Sequence, residues 1–205
     1  MPTKTRKKTY DFLHYKHGNY QRVLEAIRKQ YISEGEPERL AVPYILMCAT
    51  TLEARINDEF YIHAMRLWGD SYKSIADAYL SMTFRSKLNA LVPFLTNNQY
   101  RINQGHIVYQ RLASLISVRN LLAHPKPTMI KFEEDESAEP ETWPFPYPKM
   151  SLEITESLSD LTMGATKTYT PIEYHDAIEK LEKWFLHRCP DHLSKVAMVV
   201  RSEGV

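Results

Sequence analysis

Between Glu38 and Leu67 the chain carries no glycine and a single proline. Its apolar residues Val42, Leu46, Ala49, Ile56, Phe60 and Ala64 recur at spacings of three, four and seven, the period of one helix face. Such a stretch forms a helix about 45 Å long at 1.5 Å per residue. Most of its stability must come from other elements packed along that face. This commits the chain to a mainly helical fold. Pro43 falls within about the first turn, where a missing N–H costs least, and Gly69 stands just past the end, where a C-terminal glycine belongs.

Shorter helical patterns surround this one. Residues 9–33 place Phe12, Leu13, Val23, Leu24, Ile27 and Tyr31 near one side, with Gly18-Asn19 as a candidate break and SEGEPE as a connector. Helices are expected over 71–81 and 84–95, the second shortened or kinked by Pro93. The polar stretch TNNQYRINQG reads as a loop, and a further helix is expected over 106–124, closed by Pro125. From 125 to 149 six prolines and the acidic run EEDESAEPE exclude a helix. TMIKFEE (128–134) and KMSLEIT (149–155) alternate apolar and polar residues and suit a β-hairpin. The last clear helix starts at Thr170-Pro171, with Glu173 completing a capping box. It is expected to reach Arg188 with Ile172, Ala177 or Ile178, Leu181, Trp184 and Phe185 inward. DHLSKVAMVV reads as a short closing helix.

The expected fold class is thus mainly α, an antiparallel helical bundle with a Pro-rich, hairpin-containing insertion before its last long helix. Residues 1–36 supply an N-terminal helix and linker, 37–124 the bundle core, 125–169 the insertion and 170–205 the helices that complete the bundle.

A hydrophobic fraction of 43% and a charged fraction of 25% fit an ordinary globular chain. The net charge of +1 gives no general attraction to nucleic acid, so any RNA contact must be local or built across subunits. Two distant cysteines, Cys48 and Cys189, form no metal or disulfide framework. No apolar run approaches the roughly 18 residues of a membrane span. The basic start MPTKTRKK lacks an apolar segment behind it and reads as a solvated tail rather than a signal. Together these point to a cytoplasmic protein. The spacing of His187, Cys189 and His192 is the nearest approach to a ligand set, and a surface helix end explains it as well.

The stretch ISVRNLLAHPKP (116–127) departs from an ordinary helix. On a wheel of 100° per residue, Val108, Leu112, Leu115 and Leu122 form a stripe with Arg119 in its middle. A charge there must be paired or face a solvated cleft. Glu53 interrupts the stripe of the long helix between Ala49 and Ile56, and Asn57 lies one turn on. Glu53 and Arg119 are therefore expected to face each other. Gln110, Ala113, Ser117, Asn120 and His124 form a second, small and polar stripe that suits close approach of a second copy. His124 ends the helix, where the dipole favours its protonated form.

The run RNLLAH resembles the signature of the HEPN superfamily: an arginine, a polar neighbour, a short spacer and a histidine at the end of a bundle helix. EARIN, with Glu53 and Asn57, is similar to the polar pair that some members carry on an earlier helix. A second Arg-x4-His match, Arg101 to His106, falls in an expected loop, holds a glycine and lacks the polar neighbour. The resemblance implies an all-α homodimer, without cofactor or metal, that cleaves RNA to 2′,3′-cyclic phosphate and 5′-OH ends. Such proteins serve as toxins of toxin–antitoxin pairs, in antiviral defence and in RNA processing. It assigns general acid or base chemistry to His124, phosphate binding to Arg119 and an orienting role to Asn120, with Glu53 and Asn57 in support. RNA is then the substrate, and an antitoxin or regulatory protein the further partner. Plainer readings stay open: Arg119 as a structural ion pair, His124 as a helix-terminal cation, Asn120 as surface. Trp143, Phe145 and Tyr147 either stack bases or pack on the bundle. The competing function is a non-catalytic HEPN-like interaction or nucleotide-binding module.

Overall fold

A computed structural model describes residues 16–123, 169–186 and 199–201. Its helices are α1 (His17–Ser33), α2 (Glu38–Trp68), α3 (Tyr72–Leu80), α4 (Phe84–Leu95), α5 (Ile107–Ala123) and α6 (Pro171–Leu186). A single 3-10 turn, Gly69–Ser71, joins α2 to α3. The fold is mainly helical, and α1, α3, α4, α5 and α6 all pack on α2. Among the described residues no helix is long and apolar enough to cross a membrane.

Because α2 meets neighbours on several sides, its buried face is broader than one stripe. Tyr44, Ile45, Cys48, Leu52, Ile56, Phe60 and Ala64 are buried, whereas Val42 and Leu46, expected inward, are only half-buried. Pro43 stands deeper in the helix than the first turn. It leaves the Arg39 carbonyl without an intrahelical donor, and Pro43 is exposed, so that carbonyl can meet water. Gly69 ends α2 at φ 46° and ψ −122°, a conformation that a side chain would oppose. Pro93 does not shorten α4, which continues to Leu95. It falls in the last turn, where one lost hydrogen bond costs little, and Asn97 and Asn98 then adopt positive φ. Phe60, Tyr79 and Phe94 seal α2, α3 and α4 together, with ring centroids 4.1 to 5.1 Å apart.

α1 starts at His17, so Gly18-Asn19 lies in its first turn and breaks nothing. Leu24 and Tyr31 are buried, but Val23 is 46% exposed, against expectation, because only one face of α1 meets α2. Phe12 and Leu13 lie outside the described residues. α6 opens on the expected capping box: Glu173 N–H donates to Thr170 Oγ1 at 3.2 Å and Thr170 N–H to Glu173 Oε2 at 2.9 Å. Ala177, Ile178, Leu181, Trp184 and Phe185 are buried, as are Tyr174 and His175, which the apolar pattern had passed over.

Two expectations are corrected at β1 (Tyr100–Ile102) and β2 (Val199–Arg201). They pair antiparallel, Tyr100 opposite Arg201 and Ile102 opposite Val199. The expected polar loop therefore holds a strand, and the end of the expected closing helix is strand too. Val199 and Val200 are β-branched, which favours this pairing. The expected hairpin of 125–169 lies outside the described residues.

Candidate functional site

α5 is buried along most of its length, with Val108, Tyr109, Leu112, Ala113, Leu115, Ile116 and Val118 in the core. Its last turn leaves the core: Arg119 is half-buried and Asn120, Leu121 and Ala123 are exposed. Arg119 thus stands at the edge of the apolar stripe rather than in its middle. Glu53 does the same on α2, beside the buried Leu52 and Ile56. The two meet, with Arg119 Nη2 3.7 Å from Glu53 Oε2 and the side chains 35% and 31% exposed. The expected pairing forms, but as an ion pair without a direct hydrogen bond.

Lys87 of α4 completes the cluster. Its Nζ donates to Asn57 Oδ1 at 3.0 Å and lies 3.7 Å from Glu53 Oε1. The residue is only 5% exposed, so its charge depends on those two partners. Glu53 therefore offers one carboxylate oxygen to each of two cations, and the cluster is net positive. Arg119 Nη1 donates to the Oδ1 of its neighbour Asn120 at 3.0 Å. A guanidinium has five N–H donors, and this one spends a single direct hydrogen bond on described residues. Its remaining donors can take an anion.

Lys87 escaped the sequence reading, yet the signal was present. It stands between Phe84, Leu88 and Leu91 on the buried face of α4, the same charge-in-a-stripe anomaly that marked Arg119 and Glu53. His124, the other half of the expected motif, lies just beyond α5 and outside the described residues. So do Trp143, Phe145, Tyr147, His187, Cys189 and His192. Of the second stripe on α5, Gln110, Ser117 and Asn120 are exposed and Ala113 is buried. Arg101 of the second Arg-x4-His match is exposed on β1, and His106 Nδ1 accepts from Val108 N–H at 3.3 Å, a cap for the start of α5.

On the side toward α1, Glu53 and Asn57 border an open groove of about 520 Å³ whose other walls include Tyr20, Thr50 and Tyr61. Asp58 lines it as well and accepts from His17 Nδ1 at 2.7 Å. A His–Asp pair of this kind suggests a general base, but the other nitrogen is taken. Arg55 Nη1 lies 2.8 Å from His17 Nε2. Arginine can only donate, so Nε2 accepts and Nδ1 carries the proton. Arg55 in turn pairs with Glu59 at 2.9 Å, and Glu59 is 1% exposed. This network clamps the start of α1 to α2.

A third cluster joins α1, α2 and α6. His175 is 1% exposed. Its Nδ1 lies 2.8 Å from the Tyr44 hydroxyl, and its Nε2 lies 3.2 Å from Glu25 Oε1 and 3.5 Å from Glu179 Oε1. Burial holds the imidazole below its ordinary pKa and pushes the Tyr44 phenol well up. Both stay neutral near pH 7, and Tyr44 remains a hydrogen-bond donor. Arg28 donates to Glu179 Oε1 at 2.6 Å. Comparison with protein-family models, with curated proteins and with solved structures finds no match for the chain.

Proposed function

We propose that the chain is a HEPN-like endoribonuclease acting without a metal ion, as a homodimer, with Arg119 and His124 as its catalytic residues. The observation that carries this reading is the state of Arg119. It is anchored at the open end of α5 by a carboxylate that it shares with a buried lysine, and most of its donors face outward. That is what a phosphate-binding arginine needs: a fixed position and unused N–H groups. In the proposed reaction the 2′-oxygen attacks the adjacent phosphorus and loses its proton to a base. The P–O5′ bond breaks and the leaving oxygen takes a proton from an acid, giving a 2′,3′-cyclic phosphate and a 5′-OH. His124 supplies acid or base, Arg119 steadies the charge on the phosphoryl oxygens, and Asn120, bonded to Arg119, fixes its direction. Glu53, Asn57 and Lys87 hold Arg119 in place. The exposed end of α5 meets its counterpart in the second copy. A role as a toxin or defence effector, checked by an antitoxin, follows from the same resemblance.

The test is incubation of purified protein with RNA in EDTA. Cleavage with cyclic-phosphate ends, lost in both Arg119→Ala and His124→Ala while folding is kept, supports the enzyme. Intact RNA at every protein concentration overturns it in favour of a non-catalytic binding module.

A further inference from the structure

We propose that Glu25, His175 and Glu179 form a binding site for a divalent cation of the zinc class, remote from Arg119 and independent of the ribonuclease reading. The sequence offered no convincing ligand set because the three residues come from α1 and α6 and meet only on folding. One imidazole nitrogen and two carboxylate oxygens are donors that zinc accepts. Their ligand atoms all lie within 4.8 Å of one another. The Nε2–Oε1 separations of 3.2 and 3.5 Å bracket the edge of a tetrahedron with bonds of about 2.0–2.1 Å, which is roughly 3.3–3.4 Å. An ion can therefore sit among them with side-chain adjustment alone.

The surroundings agree with this. His175 and Glu179 are one turn apart on α6, so helix geometry sets their spacing. The Tyr44 hydroxyl on Nδ1 fixes the ring and turns Nε2 toward the carboxylates, the usual support of a metal-bound histidine. The imidazole is held neutral by burial, as a ligand must be. Access is one-sided: the His175 side chain is 2% exposed, Glu25 40% and Glu179 35%. An ion enters past the carboxylates and keeps a water as its fourth ligand.

Arg28 is the competitor. It supplies the compensating charge through Glu179 and reaches Asp176 at 3.5 Å. Its side chain is 27% exposed, so it can turn fully to Asp176 and release Glu179. This makes an unusual demand on a surface arginine: removing it should tighten cation binding.

The experiment is zinc titration of the chelator-stripped full chain by calorimetry, with melting curves alongside. One ion per chain is expected. At about 100-fold over the dissociation constant, the melting temperature should rise by roughly 5 °C. Glu25→Gln should weaken binding at least tenfold, His175→Ala should abolish it, and Arg28→Gln should strengthen it severalfold. Glu25 is half-exposed, so Glu25→Gln carries the test if His175→Ala does not fold. No binding by the wild type overturns the proposal. So does binding that Glu25→Gln leaves unchanged, or that a His187→Ala, Cys189→Ala, His192→Ala triple variant removes. RNA cleavage in EDTA bears on none of these outcomes, so the two proposals fail separately.

Discussion

Two arginines, each facing a glutamate, behave differently in this molecule. Arg28 donates to Glu179 at 2.6 Å beside a histidine that is 1% exposed. Arg119 stays 3.7 Å from Glu53, both side chains about a third exposed. Around Arg28 and His175 nearly every donor has an acceptor, and the cluster ties α1 and α6 together over α2. Around Arg119 the carboxylate is divided between two cations, and the guanidinium keeps donors to spare. The same side-chain chemistry holds helices together where it is saturated and leaves binding capacity where it is not. Burial alone would have pointed to the wrong cluster as the reactive one.

The comparison breaks most sharply if the two clusters fail to separate activity from stability. Arg119→Ala should lower RNA cleavage at least about 100-fold. It should change stability by less than about 1 kcal/mol, since a half-exposed pair contributes little. His175→Ala should do the reverse. Leaving the Tyr44 hydroxyl without its partner and opening a cavity costs about 2–4 kcal/mol, a fall in melting temperature of roughly 6–12 °C. Cleavage by the folded protein, measured well below that temperature, should stay within about threefold of wild type. Losses of both properties in both variants would end the distinction.

A finer test concerns Lys87. Lys87→Met removes the second claimant on Glu53, which can then close on Arg119 and block it. Cleavage should fall about tenfold, in the range of coupling between neighbouring charges. Adding Glu53→Gln should restore most of it, because an uncharged partner cannot hold the guanidinium. If the double variant is worse than the single, Glu53 steadies Arg119 rather than competing for it.

The smallest effect is at the start of α6. Thr170→Ala should cost about 1 kcal/mol with cleavage unchanged, because the cap supports only the saturated cluster. The Thr170 backbone N–H, followed by Arg111, holds the Glu173 carboxyl below its ordinary pKa. Its folded value lies under its unfolded value, so the unfolded chain binds more protons between them. The stability it lends is present above the ordinary carboxylate range and is lost as pH falls through the lowered value. A Glu173→Gln variant should therefore be less stable than wild type at pH 7, and the gap should close in acid denaturation.

Much of this was readable in the residues. The long helix, the capping box and the Glu53–Arg119 pair all follow from spacing along one element or from a charge placed in an apolar stripe. Lys87 obeyed the same rule and was legible. His175 was not, because its meaning depends on Tyr44 and Glu25, which come from other helices and share no pattern with it. The broad buried face of α2 was hidden for a related reason. A wheel finds one stripe per helix, whereas a central helix is covered from several sides. β2 was missed because Val199 and Val200 fit a helix end or a strand equally, and only β1 decides between them.

The pairing of Tyr100 with Arg201 also bears on the order in which the molecule assembles. β1 stands between α4 and α5, yet the strand that covers it is made only after α6. During synthesis the backbone edge of β1 must wait, open to water or to another chain, while the helices beside it already pack. Its closure joins residues about a hundred positions apart, a contact whose entropy is repaid late. The small sheet is thus the last seam of the fold, and a ribosome that stalls before Val199 releases a chain whose helices can pack but whose edge stays exposed.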